Sequence, residues 1–305
     1  MLNYALKRLG VAILVAITVS MVTFSLLHLT GDPAMALAGE SATEEDIENI
    51  RRVYGYDRPF LVQYADWLGK ALTGDFGRSH YLKTEVADVV FQRLPTTMIL
   101  GASAIAFAFV LAIPLGVLAA IKPNTVYDRL ALTIAVVGQA LPSFWFALIM
   151  IFWLGIEWRL LPISGTESWR NFIMPAIALG YYVTPAIMRL TRAGMLEVLA
   201  SDYIRTARAK GLPERTVVWK HALRNALIPL VTLWALNLSA LLGGAVVTES
   251  IFSWPGLGPA FLVALSKPDL DLILGFVMLT GTIVVLFNLI ADILYGVLDP
   301  RIRFD

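Results

Sequence analysis

The 305-residue chain contains no cysteine. That absence removes disulfides, thiolate metal sites and a cysteine nucleophile from consideration, and says little about compartment. Charge is scarce as well: Asp, Glu, Lys and Arg make up 15% of the residues, against about a quarter in a soluble domain. Hydrophobic residues reach 58% and the mean hydropathy is +0.71, which excludes an ordinary soluble protein. A net charge of +1 argues against a nucleic-acid partner. Enzyme signatures are missing too. There is no His-Glu-x-x-His, no Gly-x-Ser-x-Gly, no pair of intramembrane aspartates and no Gly-x4-Gly-Lys-Ser/Thr phosphate loop. No catalytic residue, resident metal or cofactor is therefore expected in this chain, and it has no P-loop of its own for ATP.

What the chain does have is six runs without a single Asp, Glu, Lys or Arg: residues 9–31, 94–121, 130–156, 171–188, 225–248 and 272–291. An apolar helix needs about 20 residues to cross the hydrocarbon core, and a helix satisfies its own backbone there. The runs predict six transmembrane helices in an all-α membrane protein. The first follows Lys7 and Arg8, is longer than a signal-peptide core and lacks a small-x-small cleavage site before Gly31-Asp32-Pro33; it is expected to be retained. A further uncharged stretch, 250–266, is broken by Trp254-Pro255-Gly256-Leu257-Gly258-Pro259. It predicts a loop at the outer interface with Phe252 and Trp254 as anchors. Pro114, Pro142, Pro175, Pro185 and Pro229 are expected to kink or begin helices.

Basic residues set the orientation. With the N-terminus placed inside, the inner segments carry 14 of the 24 Lys and Arg, the short outer loops carry Arg159, Arg170 and Lys267, and seven lie in segment 32–93. This bias puts both termini on the cytoplasmic side. Segment 32–93 then faces out and reads as a small helical cap. Thr43-Glu44-Glu45-Asp46 resembles a helix-start box, Gly55 a stop, and a second helix is expected from Pro59 to Leu72.

Polar groups inside the runs are few. His28, Glu249 and Asp292 sit at helix ends, where water is expected to reach them, and Asn237 and Asn288 are the strongest mid-span polar residues. Asn237, Glu249 and Asn288 are candidates for a pathway or gate, with hydrogen bonding between helices as the other reading of the asparagines. His28 is read as interfacial rather than as a ligand.

The long polar stretch Arg192–Arg224 carries seven basic residues against Glu197, Asp202 and Glu214. Ser201 is a candidate cap for a helix over 202–210, Gly211 a stop, and Pro213 the start of a helix over 213–225. The result is a helix, a sharp corner and a helix. Arg205 and Arg208 share one face of the first helix, while Ile204, Thr206 and Ala207 offer a close-packing surface to another protein. Topology signalling or contact with anionic lipid would explain the same basic residues.

Several ordered blocks carry a resemblance. Asp202-Tyr203-Ile204-Arg205-Thr206-Ala207-Arg208-Ala209-Lys210-Gly211-Leu212 and His221-Ala222-Leu223-Arg224-Asn225-Ala226-Leu227-Ile228-Pro229 resemble the coupling loop of ABC-importer permeases of the dipeptide, oligopeptide and nickel group, the binding-protein-dependent inner membrane components. Gly31-Asp32-Pro33, Gly74-Asp75-Phe76-Gly77-Arg78-Ser79, Arg93-Leu94-Pro95-Thr96, Ile251-Phe252-Ser253-Trp254-Pro255-Gly256-Leu257-Gly258 and Leu298-Asp299-Pro300-Arg301-Ile302-Arg303 extend it over essentially the whole chain.

The resemblance implies a type I permease fold with an extra N-terminal helix. Residues 1–31 would form that helix, 32–93 the extracytoplasmic cap, 94–298 the permease core with coupling loop 192–228, and 299–305 a cytoplasmic tail. It also implies a multi-pass protein of the bacterial inner membrane, embedded in lipid, importing a di- or oligopeptide delivered by an extracytoplasmic binding protein. A second permease and two ATPase subunits carrying ATP and Mg would complete the importer. Arg205, Thr206, Ala207, Arg208, Ala209, Lys210, Gly211 and Arg224 would couple it to the ATPase. Arg205 stands where the broader motif has a glutamate, so a salt-bridge role borrowed from that residue does not carry over. Glutathione, a nickel chelate or a sugar derivative are alternative cargoes. A stand-alone secondary transporter or channel is the alternative from another class, and the poverty of mid-span ionisable groups weighs against it.

Overall fold

The computed structural model describes residues 2–30, 32–39, 42–79, 81–227, 245–266 and 269–298. Among these residues the architecture is all-helical, with a single antiparallel bridge between Arg78 and Glu85 in place of any sheet. Three helices are long and apolar enough to cross a membrane: Leu6–Leu26, Val86–Ile121 and Asp271–Ile290. Two bent helix pairs, Val126–Ala140 with Ser143–Glu157 and Arg170–Gly180 with Thr184–Leu199, raise the number to five if each is one span. These coincide with five of the six uncharged runs. The remaining run falls largely on 228–244, outside the described residues, as do Asn237, Pro229 and the tail 299–305.

Pro142 and Pro185 act as their chemistry requires, whereas Pro175 and Pro114 lie inside α-helices. The first bent pair turns by 101° at Leu141-Pro142, where the proline has no N–H to continue the ladder. The Tyr181 hydroxyl donates to the Leu141 carbonyl at 2.5 Å and so satisfies an acceptor freed at this corner. Pro185 opens Thr184–Leu199 in the first helical turn, and Pro175 lies inside Arg170–Gly180. Pro114 sits within the unbroken 36-residue helix Val86–Ile121.

The chain forms two units, one of residues 96–255 with 290–305, the other of 2–95 with 256–289. In the second, the first helix α1 (Leu2–Thr30) is followed by α2 (Pro33–Ala38), α3 (Glu44–Tyr54) and α4 (Phe60–Leu72). The expected start box is present: Thr43 Oγ1 accepts from the Asp46 amide, and Asp46 accepts from the Thr43 amide. The Thr43 hydroxyl, which donates to the Asp46 carboxylate, and then the Thr43 amide hold that carboxyl below the usual carboxylate range. Gly55 closes α3 at φ +72°, a left-handed conformation that favours glycine. Ser20 and Tyr64 share a 2.8 Å hydrogen bond that ties α1 to α4, and Phe24, Tyr64 and Leu274 form a small apolar cluster. Asp269 is buried; it accepts from Leu272 N at the head of Leu270–Leu298 and from Ser79 Oγ and Tyr81 N, so one carboxylate caps a helix and pins a turn. Within α1, 11% of the apolar window is buried inside the chain, against 44% for Val86–Ile121. Most of the apolar surface of α1 is thus available to lipid or to another subunit.

In the first unit, Asp128 and Arg192 form a bidentate pair at 2.7 Å for both bonds, joining α6 (Val126–Ala140) to α9 (Thr184–Leu199). Asp128 also accepts from Asn124 N. Residues 245–251 are helical, Ser253 turns the chain at φ +50°, and Leu257–Ser266 resumes as a short helix. The expected interfacial anchors are instead core residues: Phe252 and Trp254 are each 1% exposed. Trp254 packs edge-on against Phe172 and donates its indole N–H to the Thr96 carbonyl. A bulky aromatic next to a proline-glycine corner can turn inward, and here the cluster around Leu100, Ala104 and Leu179 covers it.

Helices approach closely where glycine removes the side chain. A Cβ on Gly180 would lie 2.3 Å from the Ala104 carbonyl, whereas Gly101 in the same long helix has nothing within 4 Å. Gly180→Ala is expected to cost about 1–3 kcal/mol through overpacking. Gly101→Ala is expected to be neutral or to gain up to about 1 kcal/mol, because alanine loses less backbone entropy on folding. Thermal unfolding of both variants in detergent checks the contrast.

Candidate functional site

The polar stretch after α9 folds as a knuckle. Helix α10 (Asp202–Ala209) runs to Gly211, which stands at φ +74° and reverses the chain. The return leg is Glu214–Thr216, a π-helical segment Val217–Ala222, and Leu223–Ala226. Ser201 occupies the cap position, but its hydroxyl donates back to Val198 O at 2.5 Å instead of capping α10. Asp202 supplies the negative charge at that end.

Three features fix the knuckle. Ile204 and Ala207 are buried against Met195, Val217, Val218, Ala222 and Leu223. The Arg208 guanidinium grips Glu214 with two bonds, of 3.1 and 2.7 Å, across the Gly211 corner. Asn225 donates to the Tyr203 hydroxyl at 2.8 Å. The bond from Arg208 holds the Glu214 carboxyl below the usual carboxylate range. A lowered acid favours the folded pairing above its unfolded pKa and releases it as pH falls through the folded value, so the grip is complete at neutral pH. An exposed pair of this kind contributes little stability; its bidentate geometry sets direction.

The sequence expectation for this surface needs a correction. Ile204 and Ala207 do not face a partner, because the 3.6-residue period turns both toward the knuckle's own core. The exposed face carries Arg205, Thr206, Ala209 and Lys210, with Arg224 exposed on the return leg. Arg205 lies 3.2 Å from Asp202 and its side chain is 79% exposed. The Arg208–Glu214 and Tyr203–Asn225 bonds were not anticipated. Opposite charges six residues apart around a Gly-x-Pro corner are the signal that would have found the first.

Glu249 needs a second correction. It is 0% exposed, not water-accessible, and Thr97 Oγ1 donates to it at 2.5 Å. Packing of the helical turn 245–251 onto Val86–Ile121 covers a carboxylate that lies at a helix end in sequence. Asn288 is half-buried on Leu270–Leu298. His28 lies between two acceptors, with Nδ1 2.9 Å from the Phe24 carbonyl and Nε2 3.0 Å from Gln63 Oε1. Among the described residues no group of three His, Asp or Glu could hold a metal ion.

Uncharged helical spans and a braced basic knuckle are, among the described residues, the features of a multi-pass membrane protein with a polar element at the ends of its spans. The chain belongs to the family of binding-protein-dependent transport system inner membrane components, which it matches over residues 112–304. The N-terminal component of the same family matches residues 1–101. It is 38% identical to the dipeptide transport system permease protein DppB of Escherichia coli K12, over 99% of both chains. It is 39% identical to the glutathione transport system permease protein GsiC of the same strain, over 100% of both. Among solved structures it is similar in fold to a chain of the MetNI methionine ABC transporter, with a TM-score of 0.56, 19% identity, and coverage of 69% of this chain and 96% of that one.

The corrected knuckle yields a test. Ala207→Glu places a carboxylate in a packed apolar site and is expected to lower the unfolding temperature or the yield of folded protein. Thr206→Glu, one position along on the exposed face, is expected to leave unfolding unchanged in a detergent melt.

Proposed function

We propose that this chain is one of two permease subunits of an ATP-driven importer for di- and oligopeptides or glutathione-like peptides. The observation that carries the reading is end-to-end similarity at 38–39% identity to permeases named for dipeptide and glutathione transport. In this reading six helices cross the inner membrane, both termini are cytoplasmic, and the cap faces the extracytoplasmic binding protein. Core 94–298 forms half of the pathway with a second permease. Two cytoplasmic ATPase subunits bind ATP and Mg and drive alternating access.

Coupling falls to the knuckle, loop 192–228. Arg205, Thr206, Ala209 and Lys210 meet the ATPase directly, with Arg224 beside them. Ala207, Arg208 and Gly211 act through the shape of the knuckle. Asn237 and Asn288 are pathway candidates, and buried Glu249 is a gate candidate through its bond to Thr97. Cargo selection rests largely with the binding protein.

Affinity purification from the native membrane is expected to recover a sister permease and two ATPases, with ATP hydrolysis in the eluate. Thr206→Glu is expected to lower ATP-dependent peptide uptake about tenfold or more while the chain stays folded. Gly211→Pro is expected to do the same by removing the left-handed turn. Recovery of the chain alone, or full uptake in both variants, would overturn the coupling reading. Competition between alanyl-phenylalanine and glutathione for uptake assigns the cargo.

A further inference from the structure

The coupling role proposed for the knuckle requires that its displacement reach the neighbouring spans, and two contacts of opposite character lie in the way. The first is apolar. Val117 and Ala120, in the last turns of Val86–Ile121, are buried in one cluster with Met195, Ile204, Ala207 and Val217. The knuckle's core is thus seated on the end of that helix. Apolar burial is non-directional: it resists separation, but it does not fix how far one surface has slid along the other.

The second contact is ionic and directional. Arg192 of α9 donates through Nε to Asp128 Oδ1 and through Nη2 to Oδ2, both at 2.7 Å. The same Oδ2 accepts from Asn124 N at 2.9 Å, and Asn124 holds a left-handed φ of +62° in the turn 122–125 that joins Val86–Ile121 to α6. That turn is closed in its own right: Thr125 Oγ1 donates to the Lys122 carbonyl at 2.6 Å, and Lys122 Nζ lies 4.6 Å above the Tyr127 ring. The Asp128 side chain is 4% exposed and that of Arg192 23%. One carboxylate therefore meets the end of one helix, the start of the next, and a third helix that leads through Ala200 and Ser201 into α10. A guanidinium fork fixes direction as well as distance, which an apolar seam does not.

We infer that the Asp128–Arg192 fork is the relay that passes displacement of α9 along its axis to α6 and Val86–Ile121, with both members as positioning residues. The inference rests on the coupling role of the knuckle. Arg192 stands about two helical turns before the end of α9, so a push on the knuckle carries the guanidinium with it, and the guanidinium carries Asp128 and the turn 122–125. Without the fork the knuckle would still engage the ATPase, but α9 would slip against α6 and the movement would not reach the other two helices.

The test measures uptake and ATP hydrolysis together, on the importer assembled in proteoliposomes with its sister permease, ATPases and binding protein. The cargo is alanyl-phenylalanine or glutathione, whichever the unaltered importer takes up. Arg192→Lys keeps the charge and loses the fork. It is expected to lower the cargo moved per ATP about fivefold, while hydrolysis and the detergent unfolding temperature stay near their unaltered values. Asp128→Asn combined with Arg192→Gln leaves no charge unpaired. It is expected to lower the ratio by the same factor as Arg192→Gln alone, because two members of one relay do not add. An unchanged ratio in Arg192→Lys and in the double variant, while Thr206→Glu lowers uptake, would overturn the relay and leave the coupling reading standing. A parallel fall in uptake, hydrolysis and unfolding temperature would also overturn it, since that is the mark of a brace needed only for folding. Full uptake in both Thr206→Glu and Gly211→Pro would overturn the coupling reading and this inference with it.

Discussion

Hydrocarbon offers no hydrogen bonds, and the rest of this structure follows from that constraint. Each backbone group in a span must be satisfied by its own helix, and each charge must be kept out or paired. The chain obeys by clearing long stretches of ionisable residues and gathering them into segments 32–93 and 192–224. The price is that the spans hold few groups able to do chemistry. Where the constraint is locally broken, side chains repair it. Tyr181 covers the carbonyl at the Pro142 corner, and Thr184 donates to Gly180 O where the second bent pair turns.

Much of this was legible because the signals are local. An uncharged run of span length, the Thr43–Asp46 start box, the Gly55 stop and the Gly211 reversal each depend on a few adjacent residues, and helices follow them closely. The knuckle's two legs could be drawn from Asp202, Gly211 and Pro213 alone. Its orientation could not. Whether Ala207 looks outward or inward depends on Val217 and Ala222, which the corner folds back beneath it.

Glu249 and Trp254 were misread for a related reason. Both lie beside a helix break, where hydropathy places polar and aromatic groups at the membrane surface. Their partners, Thr97 and Thr96, are some 150 positions earlier in the chain, at 152 and 158 residues respectively. The turn after Glu249 brings both onto one stretch of Val86–Ile121, and the carboxylate gains a hydroxyl in place of water. Asp128 and Arg192 make the same point with charge: 64 residues apart, each alone reads as a loop residue, and together they brace two helices.

On the coupling role proposed for it, the knuckle must move as a body if force on its tip is to reach the spans. Three braces of different chemistry meet that requirement in the knuckle: an apolar seam from Ile204 to Leu223, a guanidinium fork and a tyrosine-to-amide bond. Each joins the outgoing leg to the returning one, so a push on α10 cannot simply splay the two. The outgoing leg continues from Thr184–Leu199, whose far end meets the preceding helix at a 64° bend, and Arg192 ties that helix to Asp128 of the neighbouring bent pair. On that proposed role, stiffness near the tip and proline-bearing corners in the spans are complementary features: the braces would keep displacement from dissipating in the loop, and the corners would give it somewhere to go.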